Sequence, residues 1–209
     1  MNRQSDEQHS QHSWAANIPN MITVVRMALV VPLTVLLVQQ RYGLALLIFF
    51  LAGASDGVDG FVARRFSWRS RLGSILDPIA DKLLLVSCYF VLTTQGLIPA
   101  WLLAIVLGRD MIIILGAIVI HHWITEVDGE PTLISKLNTF LQIALVLAIL
   151  VDQTYGWLQP AWLTALVWSV TITTALSGIH YMSIWAFKLR RIDMAGPAPS
   201  EMERSDEPD

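Results

Sequence analysis

The chain has 209 residues, 54% of them hydrophobic and only 15% charged, with a net charge of −3. A soluble domain carries about 25% charged residues, and here the apolar residues are gathered in blocks rather than along one helical face, so an ordinary soluble domain is excluded. The small acidic excess lies largely in the tails and points to no nucleic-acid partner, and the single cysteine, Cys88, excludes an internal disulfide.

Residues 1–16 are polar, with no cleavage motif before the first apolar run, so no removable signal peptide is expected. Six apolar spans follow, at about 21–40, 43–65, 75–96, 99–122, 134–153 and 160–188. Each reaches or approaches the ~20 residues that cross hydrocarbon. Pro19, Gly43, Gly73, Pro99, Pro131 and Pro160 punctuate their starts. Residues 191–209 hold Asp193, Glu201, Glu203, Asp206, Glu207 and Asp209 against Arg204 beyond the basic Arg191, and are expected to be disordered. The expected fold is an all-α integral membrane protein: a polar tail (1–16), a six-helix domain (17–190) and an acidic tail (191–209).

Basic residues set the expected orientation. Arg64, Arg65, Arg69 and Arg71 follow span two, Lys136 closes the loop after span four, and Lys188, Arg190 and Arg191 end span six, whereas the opposite side has only Arg41. Both termini are therefore expected in the cytoplasm, with the chain multi-pass in an inner or plasma-type membrane.

Four aspartates stand at the cytoplasmic ends of spans two and three. Asp56 and Asp59 are three apart, Asp77 and Asp81 four apart, and either spacing puts a pair on one helical face. Four clustered carboxylates repel and take up protons unless a cation holds them. An all-oxygen donor set suits Mg²⁺ or Mn²⁺, and two ions are plausible for so many carboxylates. Gly57, Gly60 and Gly73 leave room for a ligand against the backbone, and Arg64 offers planar donors to phosphate. Acid-bound metal beside a guanidinium is a pattern for handling a diphosphate. The competing reading, structural aspartates paired with Arg or Lys, suits one carboxylate better than two helix-spaced pairs.

This stretch resembles the signature of the CDP-alcohol phosphatidyltransferase family, D-x2-D-G-x2-A-R-x8-G-x3-D-x3-D, at Asp56, Asp59, Gly60, Ala63, Arg64, Gly73, Asp77 and Asp81, without departure. The resemblance implies six membrane helices, a homodimer, a cytoplasmic active site, and displacement of CMP from CDP-diacylglycerol by an alcohol hydroxyl with Mg²⁺ or Mn²⁺. By position, Asp56, Asp59 and Asp77 resemble metal ligands, and Asp81 resembles a ligand that is also the general base. Gly60 and Arg64 match contacts to the CDP moiety, Ser70 falls where a hydroxyl residue is common, and a small Ala63 lets the nucleotide lie against the helix.

Asn17 and Asn20 are plausible helix caps, yet "IPNMITVVR" also resembles the opening of the glycerol-type branch, which makes Asn20 and Thr23 nucleotide-site candidates. Arg26, a turn inside the membrane, needs a partner. Arg109 and Asp110 adjoin, so an internal ion pair is one reading and Lys136 an interfacial anchor; the other gives Arg109 and Lys136 an acceptor phosphate. Ser135, Asn138, Thr139 and Gln142 form a polar stripe unsuited to lipid. "LDPIADK" resembles the phosphatidylglycerophosphate synthase and cardiolipin synthase branch, and "ISKLNTFLQ" favours phosphatidylglycerol over glycerol 3-phosphate as acceptor. His121, His122 and most tryptophans read as interfacial belts. A cation transporter is the alternative class, but it would spread its carboxylates through the membrane depth. A catalytically silent scaffold is the third reading, and the intact signature argues against it.

Overall fold

The computed structural model describes residues 17–66, 73–123 and 133–195, with side chains over 24–55, 79–116 and 133–183. Among the described residues every regular element is a helix: α1 Asn17–Val38, α2 Tyr42–Phe66, α3 Gly73–Thr94, α4 Ala100–Trp123, α5 Leu133–Tyr155 and α6 Pro160–Ala195. Helices α1, α2 and α3 pack together through α1, α5 pairs with α6, α4 lies against α6 and α3, and α2 and α3 both touch α5.

Helix limits follow from local chemistry. Helix α3 ends in a pair of bonds, Leu97 N–H to Leu92 O at 2.9 Å and Gly96 N–H to Thr93 O at 2.9 Å. That closure needs a left-handed residue, and Gly96 supplies it at φ 76° without a Cβ penalty. Helix α1 closes the same way through Arg41 and Gln40, but with Gln40 at φ 58°. Two boundaries differ from the sequence expectation. Helix α1 starts at Asn17, so Asn20 lies inside the first turn and is not a cap; Pro19 fits there because early helical N–H groups have no partner to lose. Helix α6 runs past 188 to Ala195, because no breaker occurs before Gly196. The first residues of the expected acidic tail are thus helical, and the remainder of both tails lies outside the described residues.

The core runs along facing stripes of α1, α2, α3 and α5, with Leu33, Leu37, Ala45, Ala52, Cys88, Leu92, Leu145 and Leu150 fully enclosed. Large apolar side chains also face outward: Val31, Phe50, Phe90 and Phe140 are each more than half exposed. Among the described residues, two segments, Leu133–Tyr155 and Pro160–Ser183, are long and apolar enough to cross a membrane, and Val24–Val38 and Tyr42–Ser55 are shorter apolar stretches.

Several polar side chains of the described helices are tied locally or between helices. Many hydroxyls turn back onto the carbonyl four residues earlier, as Thr164 does to Pro160 (2.9 Å), Ser169 to Ala165 (2.8 Å) and Thr171 to Val167 (2.7 Å) in α6. The Gln95 carboxamide gathers one end of the bundle. It donates to Leu37 O (2.6 Å) and accepts from the Tyr42 hydroxyl (3.1 Å). The polar stripe of α5 faces inward: Asn138 and Gln142 are buried, and Asn138 Oδ1 accepts from Thr173 (3.0 Å) and Thr174 (2.7 Å) on α6.

Candidate functional site

Asp81 sits in the third turn of α3, with its side chain 45% exposed, and takes a 2.5 Å hydrogen-bonded ion pair from Arg26 Nη1. Arg26 is the largest fully buried side chain among the described residues, 2% exposed, and projects from the interior face of α1. A guanidinium held out of water there requires an anion, because an unpaired buried charge is strongly unfavourable. The partner that the sequence demanded for Arg26 is therefore the carboxylate proposed as general base. The pair fixes Asp81 from one side.

The next residue fixes α3 from another side. Lys82 Nζ donates to Asp110 Oδ2 at 2.6 Å, and Arg109 Nη1 donates to Asp110 Oδ1 at 2.8 Å. Asp110 thus bridges two cations across α3 and α4. Arg109 is 6% exposed. Its Nε and Nη2 fork onto Ser177 Oγ of α6 (3.2 and 2.9 Å), and Nη2 also reaches Ser135 Oγ of α5 (2.5 Å). Four of its five N–H groups are committed, and the ring of Tyr181 lies 5.8 Å from its guanidinium carbon. One network so joins α3, α4, α5 and α6. Lys136 is exposed and does not join Arg109 in it.

Of the four aspartates, Asp81 alone has a described side chain. Asp56 and Asp59 lie in the second half of α2, and Asp77 in the second turn of α3. The six residues 67–72 that link these helices span at most roughly 20 Å, which puts both carboxylate pairs at the same end of the bundle. Helix α1 packs on both α2 and α3. Among the described residues no three His, Cys, Asp or Glu side chains cluster.

Comparison with known proteins decides the family. The sequence model of CDP-alcohol phosphatidyltransferase matches residues 16–185. The chain belongs to the CDP-alcohol phosphatidyltransferase family. It is similar to a human cardiolipin synthase (CMP-forming), at 34% identity over 180 residues covering 78% of this chain and 60% of that protein. A cardiolipin synthase (CMP-forming) of Streptomyces coelicolor is 34% identical over 169 residues, 72% of this chain and 77% of the relative. The chloroplastic CDP-diacylglycerol–glycerol-3-phosphate 3-phosphatidyltransferase 1 of rice is 32% identical over 183 residues, 79% of this chain and 56% of the relative. The chain thus spans about 60% of the length of the human and 56% of the rice protein.

Within this family member the signature residues occupy two helices: Asp56, Asp59, Gly60, Ala63 and Arg64 on α2, and Gly73, Asp77 and Asp81 on α3. Asn20 and Thr23 lie in the first two turns of α1, the helix that supplies Arg26. The side chains of Asn20, Thr23, Asp56, Asp59, Ala63, Arg64 and Asp77, and all of Ser70, lie outside the described residues. Sequence reasoning missed Lys82 and Ser177 as parts of the buried network. The signal for Lys82 was a lysine directly after the last signature aspartate, with Asp110 and Arg109 the next charges along the chain.

Proposed function

We propose that this chain is a metal-dependent phosphatidyltransferase that moves the phosphatidyl group of CDP-diacylglycerol onto the hydroxyl of a glycerol-type acceptor and releases CMP. The observation that carries this reading is the placing of two carboxylate pairs at one end of the bundle, in a chain of this family. Phosphatidylglycerol is the favoured acceptor, in keeping with relatives named cardiolipin synthase. Glycerol 3-phosphate is the alternative, in keeping with the rice relative.

The donor set fits one or two Mg²⁺ or Mn²⁺ ions, being all carboxylate with no His or Cys among the signature positions. Asp56, Asp59, Asp77 and Asp81 would hold them. A bound divalent ion supplies neutralisation of the diphosphate charge. Arg64 adds planar donors to phosphate, and Gly60, Ala63, Gly73, Ser70, Asn20 and Thr23 shape the CDP pocket. Asp81 receives the proton of the acceptor hydroxyl. The hydroxyl oxygen bonds to the phosphorus that carries diacylglycerol, and the anhydride bond to CMP breaks. An acceptor phosphate role for Arg109 and Lys136 has less support, because four N–H groups of Arg109 are already engaged.

Six membrane spans, cytoplasmic termini and a homodimer belong to the same proposal. The exposed apolar surface and the two long apolar helices support a bilayer environment. A cation transporter is less well supported, since the signature carboxylates gather at one end of the bundle.

The test is CMP release by purified protein given CDP-diacylglycerol with phosphatidylglycerol or glycerol 3-phosphate. Release should stop with chelator and return with Mg²⁺ or Mn²⁺; full turnover in excess EDTA would sink the metal role. Topology has its own test. A cysteine placed at Ser67 should be labelled only from the cytoplasmic side, and one at Gln153 only from the other, while the native Cys88 is buried and stays silent. The reverse pattern overturns the orientation.

A further inference from the structure

The stripe of α1 that faces the core runs through Val30, Leu33 and Leu37, all buried and apolar. Arg26 stands one turn earlier on that stripe and is enclosed as they are. Spacings of four, three and four residues put the four side chains on one helical face, so packing alone would place an aliphatic residue at 26. A guanidinium enclosed with its counter-ion adds little stability, because apolar groups of similar volume in place of a buried pair are often neutral or stabilising. Nor does the partner need the cation for solvation, since the Asp81 side chain is 45% exposed and reaches water by itself. The core would do without this cation and water would serve this carboxylate, so the reason for joining them lies in the site.

The contact engages one particular atom. Arg26 Nη1 donates to Asp81 Oδ1 at 2.5 Å, reaching from α1 to α3 across 55 residues of chain. A carboxylate can take a divalent ion through one oxygen or through both. Here Oδ1 is committed to a cation, and the guanidinium offsets the charge that would otherwise draw an ion onto Asp81. The exposed part of the carboxylate stays within reach of an acceptor hydroxyl. Resting on the metal-dependent transfer reading, we infer that Arg26 is the positioning residue of the general base: it withholds Asp81 from full metal ligation and so keeps that carboxylate available to the acceptor hydroxyl. The ions are then held chiefly by Asp56, Asp59 and Asp77.

The test measures Mn²⁺ binding and turnover on the same full chain in detergent. Arg26→Gln removes the positive charge yet keeps a donor for Asp81. By calorimetry it should bind Mn²⁺ roughly fivefold tighter, the effect of one unit charge a few ångströms away in a water-like medium. Its kcat in CMP release should nevertheless fall about tenfold to a hundredfold, the usual loss when the partner of a ligating carboxylate is changed. KM for CDP-diacylglycerol and for phosphatidylglycerol should not move. Arg26→Lys keeps the charge, so it should keep wild-type Mn²⁺ affinity and recover part of the turnover. A residue that only tied α1 to α3 would lower the thermal midpoint and leave Mn²⁺ affinity and kcat per folded molecule as they were. Arg26→Met suits the enclosed face and gives the same readings if Arg26→Gln does not fold. Unchanged or weaker Mn²⁺ binding in the folded neutral variant overturns the assignment, and so does an unchanged kcat. Tighter Mn²⁺ binding by a neutral variant of a protein that releases no CMP with either acceptor supports the hold of Arg26 on Asp81 and sinks the transfer reading instead.

Discussion

Asp81→Asn should reduce turnover by a factor on the order of 10² to 10⁴, the usual cost of losing a general base, while the protein stays folded. The amide keeps an Oδ1 that accepts from Arg26, so this contact survives without its charge, and the stability lost should be smaller than when the oxygen itself is removed. Asp81→Ala removes that oxygen as well. It should lose more thermal stability in addition to turnover, since the 2% exposed Arg26 then loses this charged contact entirely. Asp77→Asn offers the contrast: on the proposed roles it loses a ligand and keeps the base, so raising Mg²⁺ or Mn²⁺ should recover part of its activity. If excess metal rescues Asp81→Asn as fully as Asp77→Asn, then Asp81 is only another ligand and the base lies elsewhere. Metal binding measured directly, by calorimetry or Mn²⁺ relaxation, separates the two without reference to rate.

Asp110→Ala should be strongly destabilising. Its carboxylate is the shared anion of Lys82 and Arg109, and removing it leaves a 6% exposed guanidinium facing an ammonium ion. Breaking a buried pair from one side costs about 3–5 kcal/mol. The share owed to Lys82 is smaller, because that side chain is 37% exposed and can be solvated. For a chain of this length the thermal midpoint should fall by roughly 10 °C. The double replacement Arg109→Met with Asp110→Leu should recover most of the loss, because an apolar pair of similar volume needs no compensating charge. A double variant no more stable than Asp110→Ala would show that the serine contacts of Arg109, and not the ion pair, hold these helices.

The helices and the site were legible to different depths. Each apolar block became a helix because breakers such as Gly96, Pro99 and Pro160 mark the joints in the chain itself. The α1 and α6 limits differed where a cap residue or an acidic composition was given more weight than the absence of a breaker. The two aspartate pairs could be read because i, i+3 and i, i+4 spacing is a local property. Which cation meets which carboxylate was not local: Arg26 and Asp81 are 55 residues apart, and Arg109 and Ser177 are 68. Those pairings depend on how the helices turn toward one another, and no periodicity in one segment contains that. The stripe through Asn138 and Gln142 lay between the cases. Its polarity excluded a lipid-facing position, but only packing showed that the Thr173 and Thr174 hydroxyls satisfy Asn138 Oδ1 and leave both carboxamide nitrogens over.

The hydroxyls of α6 bear on how that helix is made in the cell. Ser169 and the threonines at 164 and 171 count as polar in a hydropathy sum, yet each proton is already given to a carbonyl one turn back along the same helix. Such a segment meets its own hydrogen-bonding needs as soon as it coils. During synthesis it can therefore partition into lipid before α4 and α5 have gathered round it, and its insertion does not wait on the later meeting of Ser177 with Arg109.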